Sequence, residues 1–397
     1  MKVELLAPAG NFSKLKTAFY FGADAAYVGG KDFSLRSFAD NFTRDELCAA
    51  VKLAHSLNKK LYVTANIFAR NADLALLEDY FGFLRSAGVD AAIVSDSGVA
   101  YAAKKAAPGL GIHISTQANL TNKYAVKFWG EQGASRVVLA RELSLDEIAD
   151  VHAFAPEVEL EAFVHGAMCI SYSGRCLLSD HLASRPSNRG ECVQACRWNY
   201  SIRKKDALSD SGWLDLEEDG RGAYILNSKD LNMSAHLDKL AEAGVCSFKI
   251  EGRMKSEYYL ATVINAYRRC IDGGYGKTVA RELTTAAHRD YTVAYAFGEN
   301  AETVNYSDSQ TKGDCDYIGN VISGGDGFAV VEMRGRFAVG DVLEVLSPTD
   351  SFGKSFTVKK AFSSDGASVE DCKLVQEKYT LECPVKLNAG DILRRRK

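Results

Sequence analysis

The sequence predicts an α/β fold: a (β/α)8 TIM-like barrel with a cysteine-bearing insertion, followed by a small C-terminal β-barrel domain. Three observations carry this expectation. Short apolar runs alternate with amphipathic stretches from the first residue to about residue 272. Glycines stand where several helical stretches should end, at Gly22, Gly88, Gly133 and Gly244, a position where glycine takes left-handed backbone without strain. From about residue 316 onward the apolar period becomes two, the alternation of half-buried strands.

The expected barrel strands are Val3–Leu6, Ala25–Val28, Leu61–Ala65, Ala91–Val94, Ile112–Ser115, Val137–Leu139, Leu160–Val164 and Ser247–Ile250. Between them lie helical patterns at Phe12–Phe21, Arg44–Leu57, Leu74–Ala87, Ser97–Ala106, Lys123–Gln132 and Leu145–Phe154. Eight strands separated by helices over about 250 residues suit a closed barrel. A doubly wound open sheet is the competitor, but it usually shows a Gly-rich phosphate fingerprint after its first strand, where this chain has Ala7-Pro8-Ala9-Gly10-Asn11. The barrel is expected over 1–275, with the insertion at about 166–222, a connecting segment over 276–315 and the β domain over 316–397. The polar stretch Lys204–Gly222 reads as an exposed excursion. In the β domain the expected strands are Tyr317–Ile322, Phe328–Met333, Val342–Val345 and Phe356–Ala361, with a turn at Gly324-Gly325-Asp326-Gly327. The phrase Gly340-Asp341-Val342-Leu343 recurs as Gly390-Asp391-Ile392-Leu393, two similar turn-into-strand corners. Such a module ordinarily positions a substrate or partner.

At 397 residues, 47% hydrophobic and 25% charged, the chain has the composition of a globular protein with at least one large core. A net charge of -3 gives no global attraction to nucleic acid, so RNA binding would need a local patch. Arg394, Arg395, Arg396 and Lys397 form one basic cluster, with a solvated tail as the alternative. No stretch approaches the roughly 20 apolar residues of a membrane span, and the opening MKVELLAPAG lacks the order of a signal peptide. A cytosolic protein is expected, and in that reducing setting ten cysteines point to metal or catalysis more than to disulfides.

Barrels place chemistry at the C-terminal ends of their strands. Here those ends carry Asn66 and Ile67, Thr116 and Gln117, Arg141 and Glu142, His165, and Glu251-Gly252-Arg253. The recurrence of polar groups predicts a polar, anion-tolerant mouth. Four cysteines cluster within 28 positions: Cys169, Cys176, Cys192 and Cys196, separated by six, fifteen and three residues. Thiolates bind zinc and the irons of Fe–S clusters. The spacing is neither the CxxC of zinc ribbons nor a ferredoxin run, so zinc is the less natural choice. Arg175, Arg189 and Arg197 would depress thiolate pKa values and offset cluster charge. The bland alternative is a set of small buried hydrophobes. Cys48, Cys246 and Cys270, in or beside helices, and Cys315, Cys372 and Cys383, in the β region, read as structural.

The run EAFVHGAMCISYSGRCLLS (161–179), the opening LLAPAGN, and the stretches NRGECVQACRWNY and SFKIEGRMKSEYY closely resemble the motifs of the collagenase-like peptidase family, over nearly the whole chain. The resemblance implies one of two activities. Older naming implies a protease of collagen. Other relatives look like oxygen-independent hydroxylases that carry a 4Fe-4S cluster and take the hydroxyl oxygen from prephenate. Their substrates include the tRNA wobble uridine, a ribosomal cytidine and a ubiquinone precursor. The layout most resembles the tRNA 5-hydroxyuridine branch. Cys169, Cys176 and Cys192 match the family's cluster ligands, but its KDLC phrase reads Lys229-Asp230-Leu231-Asn232 here. Cys196 is then the expected fourth thiolate, since a CxxxC pair on one helical turn can reach one cluster. The alternatives are an open iron, or a labile or absent cluster.

A protease needs an activated nucleophile or metal-bound water. The chain has no HExxH pair and no GxSxG elbow. His165, beside the cysteine motif, is a candidate base, or it packs or orients a ligand. For hydroxylation, Arg141, Lys249 and Arg253 would clamp a dicarboxylate such as prephenate, while Asn66, Gln117 and Glu251 would orient the donor or the base. Trp198 and Tyr200, beside Arg197 and Arg203, would stack on and steer a nucleobase, with plain packing as the alternative. A non-catalytic RNA or protein adaptor with a structural metal is the third class.

Overall fold

Eight parallel strands close into a ring in the computed structural model, which describes residues 3–31, 33–34, 40–198, 227–298, 303–305, 311–325 and 327–397. The first seven are β1 (Glu4–Pro8), β2 (Ala25–Gly29), β3 (Lys60–Ala65), β4 (Ala91–Val94), β5 (Gly111–Ile114), β6 (Arg136–Val138) and β7 (Glu159–Ala167). A short strand β8 (Asp230–Asn232) stands outside the ring, and β9 (Val245–Ile250) completes it. Each strand pairs in parallel with the next, and β9 bonds both β7 and β1. The barrel is therefore closed, and the open-sheet alternative falls. All eight expected strands are present; Ala91–Val94 matches at both ends, and other bounds shift by at most three residues.

Helices α1 (Phe12–Tyr20), α2 (Arg44–Ser56), α3 (Asn71–Ser86), α4 (Ser97–Ala106), α5 (Lys123–Glu131) and α6 (Leu145–Phe154) wrap the ring. Their N-termini face the C-terminal mouth and are closed by side chains suited to it. Asn11, Asp96 and Asn122 each accept a first-turn N–H, while Thr43 with Glu46 and Ser144 with Glu147 make reciprocal capping boxes. The anticipated glycines Gly22, Gly88, Gly133 and Gly244 all have positive φ.

Most of the apolar core lies between strands and helices. The barrel interior holds a smaller set: Leu6, Ala25, Tyr27, Tyr62, Ala91 and Ile93. Charged groups fill the rest of it, described with the site.

Between β7 and β9 the chain forms α7 (Leu178–Ala183), then β8 antiparallel to the end of β7, then α8 (Leu237–Glu242). The stretch Lys204–Gly222, with Tyr200 and Arg203, lies outside the described residues. Helix α9 (Glu257–Gly273) is buried on nearly every side, because the barrel takes one face and the C-terminal domain covers another. The connecting segment does more than connect. It supplies α10 (Lys277–Leu283) and strand β10 (Tyr291–Thr292), which pairs with β8. Its Arg289 Nε donates to Asp230 Oδ1 at 3.1 Å, both groups buried. Cys246 lies on β9 and not in a helix.

The C-terminal domain comprises β11 (Cys315–Gly324), β12 (Gly327–Met333), β13 (Phe337–Ala338), β14 (Val342–Leu346), β15 (Ser355–Thr357), β16 (Ala361–Phe362), β17 (Ser368–Val369), β18 (Asp371–Cys372), β19 (Lys378–Cys383) and β20 (Ile392–Arg396). Eight of these form one antiparallel sheet, ordered β15-β14-β20-β11-β12-β19-β16-β17, around a separate apolar core. The run Phe356–Ala361 is split into β15 and β16, and β19 was not anticipated. Register shifts in β11 bend the sheet over that core. The four C-terminal basic residues are neither a tail nor a free patch. They belong to β20 and the residue after it, where Arg394 is 1% exposed and clamped by Glu282 and Glu344, Arg395 pairs with Asp341, and Arg396 pairs with Glu344. A stacked Tyr258–Tyr317 pair and Arg269 over the Phe352 ring extend the same joint between domains.

Candidate active site

A cavity of about 230 Å³ opens at the C-terminal mouth of the barrel, roofed by the segment after β7. Its floor is built from inward-facing strand residues. On β7 the positions alternate, so Glu161 and Phe163 point inward from one strand, and Lys249 comes from β9 beside it. Lys249 Nζ donates to Glu161 Oε1 at 2.6 Å and lies 4.6 Å from the Tyr27 ring centre and 5.4 Å from that of Phe163. Glu161 is fully buried, and its second oxygen accepts from Arg136 Nη1 at 3.2 Å. Arg136 continues to Glu4 at 2.5 Å, and Glu4 also accepts from the Tyr62 hydroxyl at 2.7 Å and Ser247 Oγ at 2.8 Å. A ladder of alternating charge thus runs down the barrel axis from the cavity floor. Isolated charges there would be costly, and paired ones are tolerated.

Two more cations form the walls. Arg141 Nη1 donates to the Ala167 carbonyl at 2.9 Å, and its guanidinium lies 4.1 Å from the centre of the Phe163 ring. Its Nε meets no acceptor among the described residues. Arg253 Nη1 donates to Ser34 Oγ at 2.8 Å and Thr64 Oγ1 at 3.0 Å. Gly29 permits this: a Cβ there would come within 2.4 Å of that guanidinium. Asn66 and Gln117 share Ser115 Oγ, through the Asn66 side-chain amide at 3.5 Å and the Gln117 backbone N–H at 3.3 Å. Glu251 supplies a carboxylate, its backbone N–H tied to His165 O at 2.8 Å.

All four clustered cysteines line this cavity. The roof is anchored from several directions. Ser187 Oγ donates to Cys176 O at 2.8 Å, Val193 N donates to Ser179 Oγ at 3.2 Å, and Arg189 grips Asp73 and the Phe68 carbonyl. Gly174 has φ +77 and rests on the Gln117 turn, where a Cβ would meet the Gln117 carbonyl oxygen at 2.2 Å. Burial pushes the Cys196 thiol up and neighbouring Arg197 draws it down, while the other three cysteines add to the rise. Among the described residues no group of three or more His, Cys, Asp or Glu forms a single-ion site.

The expected basic neighbours divide. Arg197 acts on Cys196, but Arg189 is committed to Asp73, and Arg175 is exposed on the far side of the roof. Three site candidates stand off the cavity lining. His165 is 1% exposed, boxed by the rings of Tyr259, Tyr267 and Tyr291, with Nδ1 3.2 Å from the Tyr267 hydroxyl. Burial drives its pKa down to about 3, so it is held neutral, packed among the three rings and away from the cavity lining. Arg197 bonds Gln194, and Trp198 is 44% exposed outside the cavity. Asn232 takes no part either, because its Oδ1 accepts from Ser234 N, Ser234 Oγ and the Tyr267 hydroxyl. Sequence reasoning missed Tyr27, Phe163 and the Glu161 counter-ion. A lone carboxylate in the apolar strand run Leu160–Val164 was the available signal for the last.

Residues 10–306 match the profile "Peptidase family U32", and residues 313–394 match "Peptidase family U32 C-terminal domain". The chain belongs to peptidase family U32. A relative named "tRNA hydroxylation protein P1" from Bacillus subtilis (strain 168) is 38% identical, covering 100% of this chain and 95% of that one. "tRNA hydroxylation protein P" of Escherichia coli (strain K12) is 34% identical over 93% of this chain and 91% of its own. A protein named "Collagenase" from Porphyromonas gingivalis (strain ATCC BAA-308 / W83) is 31% identical over 87% of each. This U32 member is therefore an enzyme, and these relatives are named for two different reactions.

Proposed function

We propose that this enzyme hydroxylates tRNA, forming 5-hydroxyuridine at the wobble position without molecular oxygen, with prephenate as the oxygen donor. In this reading Cys169, Cys176, Cys192 and Cys196 hold a 4Fe-4S cluster, which when bound supplies one-electron chemistry. The donor set suits that group: four thiols share one cavity, and the orphan Arg141 N–H offers a donor to an anionic, sulfur-rich partner. Zinc is less well supported, because a single ion needs its ligands to converge on one point.

The observation that carries the reading is the charge of the mouth. Among the described residues, Arg141, Arg253 and Lys249, the last paired with Glu161 beneath, line it with the carboxylate of Glu251, beside the thiols. Guanidinium and ammonium groups held by protein dipoles receive a dicarboxylate without reorganising. Asn66 and Gln117 stand where they can orient that donor. The relatives named for tRNA hydroxylation support the choice of substrate. Peptidase activity has the Collagenase relative in its favour, but among the described residues no histidine lines this cavity to activate a nucleophile. All ten cysteines are free thiols, which suits a cytoplasmic enzyme. No helix among the described residues is long and apolar enough to cross a membrane.

The test is anaerobic purification with iron and acid-labile sulfide analysis, then nucleoside mass spectrometry of tRNA incubated with protein and prephenate. Iron, sulfide and a donor-dependent hydroxyuridine peak are expected, each lost on Cys169→Ala. Gelatin cleavage by iron-free protein, without any nucleoside product, would replace this reading with the peptidase one.

A further inference from the structure

A second hollow of about 390 Å³ adjoins the cavity, with Tyr172 in the wall of both. Two loops at the barrel mouth serve the two sides at once. The turn after β5 gives Gln117 to the cavity and Asn119 to the hollow, and the loop after β6 gives Arg141 to the cavity and Glu142 to the hollow. Thr121, Leu143, Arg175 and Glu147 complete the lining, with Glu147 already committed to Ser144 in the cap of α6. Tyr172 is 56% exposed, and Arg175 is exposed at the rim.

The polar inventory is unbalanced in one direction. Asn119 Oδ1 and Glu142 Oε2 are buried acceptors that receive no hydrogen bond from any described residue. Asn119 is held in left-handed backbone at φ 56. Buried acceptors without donors are rare, and each marks a place where a donor from outside is favourable. The hollow therefore offers an aromatic face, a rim cation and two acceptors.

We propose that this hollow receives the base of a nucleotide adjacent to the one modified, and that it selects guanine. The inference rests on the RNA reading above. A base drawn into the cavity brings its neighbours to the rim, where unstacked bases bind by aromatic stacking and by their polar edges. Guanine presents an imino and an amino donor side by side, which a carboxylate accepts as a pair. Adenine and cytosine present an amino group alone, and uracil an imino group alone. Arg175 meets the phosphate that joins the two nucleotides.

The test uses the cluster-loaded enzyme and RNA hairpins that differ only at the two positions flanking the reactive uridine. Replacing guanine by inosine at one flanking position deletes only the amino group. It is expected to lower kcat/KM about ten-fold, the scale of one paired base contact. Glu142→Gln should bring the guanine-to-inosine ratio near one, and Tyr172→Leu should weaken every hairpin by about ten-fold through lost stacking. Equal kcat/KM for guanine, inosine, adenine and uracil at both positions would overturn the guanine site while leaving RNA hydroxylation standing. Discrimination that survives Glu142→Gln unchanged would do the same. A wild-type enzyme with intact cluster that turns over no hairpin would overturn the RNA reading itself, and this inference with it.

Discussion

Removing the charge of Glu161 alone is expected to destabilise the barrel more than removing Glu161 and Lys249 together. Glu161→Gln keeps the side-chain shape but leaves the Lys249 ammonium, 5% exposed, without its 2.6 Å partner. Breaking a buried ion pair from one side costs about 3–5 kcal/mol. The Tyr27 and Phe163 rings return some of this by cation–π attraction, about 1–2 kcal/mol at a dry site. Lys249→Met is milder, because Glu161 keeps Arg136 at 3.2 Å and the thioether suits the space between two rings. In the double variant no charge is orphaned, so it should be about 2 kcal/mol more stable than Glu161→Gln. Urea unfolding followed by Trp129 fluorescence and circular dichroism would report the barrel, and the double-mutant cycle isolates the pair. Effects that add within about 0.5 kcal/mol would refute a coupled floor.

Three further outcomes follow from the same geometry. Cys196→Ala should lose iron and sulfide on anaerobic purification while Asn232→Ala retains both, since Asn232 is committed to Ser234 and Tyr267; the reverse pattern would restore the KDLC position as a ligand. Arg394→Met strands the buried Glu282 in the domain joint, while Glu344 keeps Arg396, at a cost of about 3–5 kcal/mol, so calorimetry should show the C-terminal domain melting apart from the barrel. Burial holds His165 at about 3 against an ordinary 6.5, so the folded state binds fewer protons than the unfolded chain between those values. Its contribution is fully present above pH 6.5 and is lost as pH falls through that window. His165→Phe should flatten the acid slope of unfolding free energy there by up to about 1.4 kcal/mol per pH unit.

The barrel was legible because its signals are local. Apolar runs such as Ala91–Val94, caps such as Thr43 with Glu46, and end glycines such as Gly88 each report on a few neighbouring residues. The mouth was partly legible for the same reason, since a strand's last residue is known once the strand is known. What sequence could not separate was the side of a wall on which a polar residue falls. His165 lies on the same strand as Glu161, yet Glu251 and three tyrosines close it off from the cavity. The basic tail failed for a different reason. Arg394-Arg395-Arg396 looks solvated until β11 and β14 flank it and Glu282 arrives from more than a hundred residues away. Non-local pairing of that kind leaves no periodic trace.

The net charge of -3 and the cationic mouth are two sides of one arrangement. Several lysines and arginines on the outer helices are paired with exposed carboxylates, as Lys105 is with Glu78 and Lys127 with Glu157. Such pairs are screened and add little stability, and each offsets one surface cation. At the cavity, the Ala167 carbonyl and the Phe163 ring face anchor Arg141, and the Ser34 and Thr64 hydroxyls anchor Arg253. Lys249 is paired with Glu161, a carboxylate it shares with Arg136. An approaching polyanion is expected to gain most from the cations grouped at the mouth. Substituting surface lysines such as Lys105 should leave RNA affinity nearly constant, while Arg141→Gln should weaken it and flatten its salt dependence. If both changes weaken binding alike, attraction is spread over the whole surface and the focused mouth is the wrong picture.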